Sequence, residues 1–172
     1  MVKSYQWYSD QWGHPTRDDR LLFLLLMVGV FQTGLGWKVA ASKRTVFERH
    51  FCQLEIRKVA ALTPADEERI LADPNMIRNP RKVRAVIQNA RAICAIQEDY
   101  GSFSEYLWSF VQHVPILQVY EESYQVPKCH PLGTALAKDL KKRGCAFVGP
   151  VVTYMFMKAS GLVQDEVLNP EP

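Results

Sequence analysis

The sequence predicts an all-α fold, a compact two-lobed helical unit whose last quarter pairs two helices across a hairpin. Three observations carry that expectation. Apolar residues recur at helical spacing almost throughout while strand signals are scarce, and proline follows a capping residue at Thr63-Pro64 and at Asn79-Pro80, where a helix would open. The third is the hairpin itself. With 172 residues, 48% apolar and 23% charged, the chain can bury one core as a single unit over 1–172, which excludes collagen-like, coiled-coil and disordered polymers.

Asp18 and Asp19 precede Leu21 to Phe31, an uncharged apolar run of eleven residues, and carboxylates favour a helix N-terminus there. The run is about half of the roughly 20 residues that a membrane-spanning helix needs, so it predicts a buried helix. Gly34-Leu35-Gly36 breaks it with a tight loop, and a second helix opens near Trp37. Thr63-Pro64-Ala65-Asp66-Glu67 supplies cap, proline and first-turn acids for a short helix ending near Ala72. Asn79-Pro80 opens a longer one to about Asp99, with Val83, Val86, Ile87, Ala90, Ile93 and Cys94 on one face. Ser102 caps a helix carrying Leu107, Trp108, Phe110 and Val111. The stretch 115–131 has three prolines and no clear period, and predicts a loop. Helix, hairpin and helix then occupy 132–160: Leu132 to Lys142, a close at Arg143-Gly144, the connector Cys145 to Val148, and Gly149-Pro150 opening the helix to Ser160. The segment 164–172 predicts a flexible tail.

Net charge is only +3, with 21 Lys and Arg against 18 Asp and Glu, so distribution matters more than the total. Between Pro74 and Gln97 stand five bases (Arg78, Arg81, Lys82, Arg84 and Arg91) and no acid; Lys138 to Arg143 holds four bases against Asp139. Two basic segments on a nearly neutral chain suit a phosphate-backbone binder, although a solvated helix face is the commoner cause of any one such run. Glycine before a helix N-terminus at 149, beside Lys141, Lys142 and Arg143, offers free amides to one phosphate. Cys52, Cys94, Cys129 and Cys145 are widely spaced, show no paired spacing and follow no secretory leader, which predicts free thiols in a reducing cytosol.

Several strings together resemble the DNA-3-methyladenine glycosylase I family, bacterial helix-hairpin-helix repair enzymes that excise alkylated adenine. They are Tyr8-Ser9-Asp10-Gln11-Trp12-Gly13, Gln32-Thr33-Gly34-Leu35-Gly36-Trp37, Ile77-Arg78-Asn79 with Arg81-Lys82-Val83, and Gln88-Asn89-Ala90-Arg91-Ala92. Leu107-Trp108-Ser109-Phe110, Leu140-Lys141-Lys142-Arg143-Gly144, Phe147-Val148-Gly149, Tyr154-Met155-Phe156-Met157 and Gly161-Leu162-Val163 complete the series, in order from Tyr8 to Val163. The resemblance implies a helix-hairpin-helix glycosylase-like fold, with Trp37 as the platform for a flipped base and Tyr8 as another wall. Thr33, Gly34 and Leu35 would enter the duplex gap, and Lys141, Lys142, Arg143 and Gly149 would hold the backbone. An electron-rich ring against a cationic base is physically sensible.

The family's recognition glutamate falls at Gly29, eight residues before Trp37, so the pocket is expected to be larger and more apolar, bounded by Tyr8 and Trp37 and open at Gly29. No catalytic residue is assigned with certainty. The family's structural zinc, held by two cysteines and two histidines, meets Ser9 and Glu166 at the histidine positions and no terminal cysteines; no metal and no cofactor are expected. The implied function is base-excision repair on double-stranded DNA, alkylated DNA included, by a monofunctional hydrolase without lyase chemistry. A catalytically impaired DNA-binding homologue is the alternative, and a helical interaction protein that has lost DNA is a third. A monomer in a bacterial cytoplasm, near the nucleoid and away from membranes, completes the expectation.

Overall fold

The run expected to be buried becomes α2 (Asp19–Gln32), in which every residue from Leu22 to Phe31 is shielded from solvent. A helix that is apolar on all sides can only be central. Asp18 caps it, accepting from the Arg20 amide at 2.9 Å. Asp19 turns outward instead. Its carboxylate accepts from the Phe103 and Ser104 amides at 3.0 and 2.8 Å, so one residue opens α2 and anchors the start of α8 (Phe103–Ser109).

The computed structural model covers residues 1–172 and the other helices surround α2 in chain order. These are α1 (Gln6–Gln11), α3 (Trp37–Ala41), α4 (Arg44–His50), α5 (Ile56–Ala60), α6 (Pro64–Leu71), α7 (Pro80–Tyr100), α9 (Pro131–Lys142) and α10 (Pro150–Ala159). The expected caps form. Thr63 and Asp66 make a reciprocal capping box on α6, Asn79 accepts from the Arg81 amide on α7, and Ser102 accepts from the Glu105 amide on α8. Helix α7 buries Val83, Val86, Ile87, Ala90 and Ile93 while Arg84, Gln88 and Arg91 face out, and α10 packs on both α9 and α2. A single continuous core of 43 buried residues joins all of these elements. No helix is long and apolar enough to cross a membrane.

Two segments differ from expectation. The predicted loop 115–131 contains strand β1 (Ile116–Glu122), and the predicted flexible tail 164–172 lies within and beyond strand β2 (Val163–Asn169). The two pair in parallel, Ile116 opposite Val163 and Glu122 opposite Asn169. The physical reason is an inverted pattern. Ile116, Gln118, Tyr120 and Glu122 are half-buried, whereas Leu117 and Val119 face solvent, so polar side chains point inward and no apolar alternation marks the strand. Tyr120 and Tyr154 both donate to Gln118 Oε1, at 2.9 and 2.7 Å, which satisfies that inward amide oxygen.

Candidate active site

Four elements enclose a cavity of about 350 Å³, lined by Tyr8, Ser9, Trp12, Gln32, Trp37 and Met155. α1 supplies Tyr8 and Ser9, Trp12 follows it, Gln32 ends α2, Trp37 begins α3 and Met155 lies on α10. Such a volume lies near the lower end of small-ligand pockets, about 300–1,000 Å³. Tyr8 and Trp37 stack with centroids 5.7 Å apart and planes 29° from parallel. A planar ring between them would need about 7 Å, two van der Waals layers, so the pair forms one continuous aromatic wall. Tyr5 meets Trp37 edge-on at 5.5 Å, and Trp7 donates to the Ala41 carbonyl at 2.9 Å, which ties α1 to α3 and fixes the wall. Burial pushes the Tyr8 hydroxyl far above the ordinary phenol range; it stays protonated and is a donor. None of the six lining residues is a carboxylate.

Between α2 and α3 the loop Thr33 to Gly36 turns outward, with Gly34 and Gly36 at φ 79° and 86°, a left-handed backbone that glycine adopts without steric cost. Leu35 between them is exposed. Lys82, from α7, reaches beneath this loop and donates to the Phe31 carbonyl at 3.0 Å and to the Thr33 carbonyl, partnering backbone oxygens that the end of α2 leaves without intrahelical bonds. Burial lowers its pKa. The hairpin between α9 and α10 is held by α7 as well: Asn89 exchanges hydrogen bonds with Ala146, at 3.1 and 2.7 Å, and Gln88 donates to the Gly144 carbonyl at 2.6 Å. At the α10 N-terminus, the amides of Val151 and Val152 have no intrahelical partner. Met155 lies five residues into the helix from Pro150, so hairpin and cavity wall are about 8 Å apart along one rigid rod.

The methyladenine glycosylase family model matches residues 2–170. The chain belongs to that family. It is 36% identical over 163 residues to DNA-3-methyladenine glycosylase 1 of Escherichia coli (strain K12), covering 95% of this chain and 87% of that one. To the Haemophilus influenzae DNA-3-methyladenine glycosylase it is 34% identical over 161 residues, covering 94% and 87%. A solved 3-methyladenine DNA glycosylase I from Staphylococcus aureus superposes with a TM-score of 0.89 at 35% identity, covering 94% of this chain and 87% of that one. A variant of 3-methyladenine DNA glycosylase I in complex with 3-methyladenine superposes at 0.91 with 34% identity, covering 96% and 90%.

Within this glycosylase framework the structure brings Tyr8 and Trp37 together at the cavity and sets Thr33, Gly34 and Leu35 on the adjoining loop. Gly29 is placed differently from expectation. It is buried in α2 and is not among the lining residues, because Val152 of α10 fills the space beside it; a Cβ added there would meet Val152 Cγ1 at 3.1 Å. The position therefore leaves no void. Lys141 and Lys142 are exposed, but Arg143 is committed within the protein, donating to Asp139 Oδ2 at 2.7 Å and lying over the Tyr100 and Tyr106 rings. The basic run on α7 is also partly structural. Lys82 is buried, Arg91 donates to the Ala60 and Leu62 carbonyls, and Arg84 pairs with Glu67, leaving Arg78 and Arg81 without an acidic partner. No sequence signal assigned a role to Trp12, Gln32 or Met155, though each lies inside a matched string; only the fold shows that these three face one cavity.

The metal expected of the family does not suit the side chains present. Ser9 lines the cavity, Glu166 is exposed on β2, all four thiols are free, and no three His, Cys, Asp or Glu side chains gather in a metal-binding group. Hydrogen bonds join the first and last segments directly. Gly13 and Thr16 donate to the Lys158 and Ser160 carbonyls at 2.9 and 3.1 Å, and Gln164 Nε2 donates to the Gly13 carbonyl at 2.9 Å.

Proposed function

We propose that this chain excises alkylated purines, 3-methyladenine foremost, from double-stranded DNA by hydrolysing the N-glycosidic bond. The observation that carries the reading is the carboxylate-free aromatic cavity of Tyr8, Trp12 and Trp37, in a chain similar to a solved glycosylase in complex with 3-methyladenine. A base alkylated on the ring bears a positive charge, and the face of an electron-rich indole attracts it. When the N–C1′ bond breaks, the bonding electrons go to the base and neutralise that charge. Water adds at C1′ and gives up a proton, leaving free base and an abasic sugar. Because the leaving group is already cationic, the chain has mainly to hold the extruded nucleotide and exclude bulk water. The Tyr8 hydroxyl donates to an acceptor on the base, Leu35 wedges where the base has left, and Lys141, Lys142 and the first-turn amides of α10 hold the backbone.

Incubation with methylated duplex DNA, followed by chromatography of released bases, tests this reading. Release of 3-methyladenine by the parent protein and its loss in Trp37→Ala are expected. Tight duplex binding without release would instead favour the catalytically impaired homologue.

A further inference from the structure

The β1–β2 pair leaves one face and one edge uncovered. Leu117, Val119 and Leu168, each more than half exposed, share that face with Gln164, Glu121 and Glu166, because Leu117 lies opposite Gln164, Val119 opposite Glu166, and the register continues to Glu121 and Leu168. Ile116 donates to the Leu162 carbonyl, so the even-numbered residues of β1 turn their main-chain groups to β2 and the odd-numbered ones turn theirs to the free edge. At that edge Gln125 Oε1 accepts from the Glu121 amide at 3.0 Å; Leu117 and Val119 have no such cap. An exposed apolar edge is a pairing template that folded proteins usually blunt with lysine, proline or a covering segment. β1 holds neither lysine nor proline.

The charge around the edge has one sign. Segments 114–127 and 161–172 carry Glu121, Glu122, Asp165, Glu166 and Glu171 and no Lys or Arg, and of these acids only Asp165 is paired, with Lys158. Two strands of seven residues present a face about 23 Å by about 10 Å, well under the roughly 800 Å² per partner of a stable interface. A second copy would also set acid against acid. Size and charge suit a single added strand instead. Helix α10 separates this sheet from the hairpin by 10 residues, about 15 Å, so the edge stands clear of the amides proposed to hold DNA.

We propose that the free edge of β1 takes up an extended segment of a partner protein, one with alternate valine-type side chains flanked by lysine or arginine, as a third strand. Main-chain bonds to Leu117 and Val119 hold the segment, its apolar side chains lie beside theirs, and its bases meet Glu121 and Glu166.

An acetylated and amidated peptide, Lys-Thr-Val-Thr-Val-Thr-Lys, reads alike in both directions and serves as probe, with Glu in place of both Lys as control. Fluorescence anisotropy of the labelled peptides at low salt should show the basic probe binding the parent below about 1 mM, and the acidic control at least about tenfold more weakly. Val119→Pro removes an edge amide and leaves the ladder to β2 intact, while Val119→Lys adds a charge that repels the probe. Each should weaken binding by about tenfold or more, the loss of about two hydrogen bonds; if the proline variant melts early, Val119→Lys decides. Amide exchange at Leu117 and Val119 should slow on addition of the probe. Equal binding of the two peptides, unchanged affinity in Val119→Lys, binding without that protection, or no binding at about 1 mM overturns the proposal. So does sedimentation of the parent as a dimer that Val119→Lys dissolves, which would give the edge to a second copy.

Discussion

Lys82 brings an ammonium group to the C-terminal end of α2, where the Phe31 and Thr33 carbonyls wait for donors. Burial lowers its pKa, and the two carbonyls compensate the charge that remains. Replacement by methionine keeps the stem and removes the donor. Lys82→Met should cost about 1.5–3 kcal/mol, the range for hydrogen bonds to charged groups. A fall of about 4–10 °C in thermal midpoint, with altered tryptophan emission as the Gly34 to Gly36 loop loosens, is the measurable result; an unchanged midpoint would contradict this role. The thiols respond differently by position. Burial pushes Cys145 up to about 12, while Cys129 is exposed. Iodoacetamide at neutral pH should therefore label Cys129 first and leave Cys145 unmodified until the protein unfolds, as peptide mass mapping would reveal.

The α9–α10 hairpin separates backbone requirement from contact. Gly149 has φ −66° and ψ 169°, and a Cβ added there meets nothing within 4 Å, so the fold itself tolerates a side chain. Gly149→Asp should leave the thermal midpoint within about 2 °C and weaken DNA affinity generally, because it puts a negative charge where a phosphate would approach. Equal duplex affinity of mutant and parent at low salt would make the hairpin purely structural. Arg143 should behave in the opposite manner. Its bond to Asp139 and its place over two tyrosine rings mean that Arg143→Ala lowers stability more than it changes the salt dependence of binding, whereas Lys141→Ala should reduce the salt slope by about one.

At the scale of the whole molecule, the first and last segments are clasped by direct contact. Gly161, at φ 76°, packs so closely on the His14–Pro15 peptide that an added Cβ would lie 2.3 Å from backbone atoms. Neither rotation nor a flexible neighbour relieves that overlap. Gly161→Ala should destabilise by about 2–5 kcal/mol, combining overpacking with the left-handed backbone penalty. Beside the clasp, Lys158 and Asp165 form a buried ion pair at 2.7 Å that joins α10 to β2. Metal analysis of the purified protein should accordingly find no stoichiometric zinc, and a chelator should leave the melting curve unmoved. One tightly held zinc per chain would overturn this account of the termini.

What the sequence determined by itself is local or motif-borne. The caps at Thr63, Asn79 and Ser102, the apolar run that had to be central, and the helix–hairpin–helix span are legible because a helix announces itself within a few residues, through periodicity and end chemistry. Tyr8 and Trp37 came from the order of matched strings, and the fold then set their rings side by side. The strands were hidden because their inward side chains are Gln118, Tyr120 and Glu122, whose polarity is satisfied only by partners elsewhere in the chain. Contact across the fold alone decided the rest. Val152 meets Gly29 from 123 positions away, Lys82 reaches the end of α2, Asp139 occupies Arg143, and Gln32 lines a cavity because α1, α3 and α10 close around it. Each depends on side chains distant in sequence becoming neighbours, and no local pattern encodes that distance.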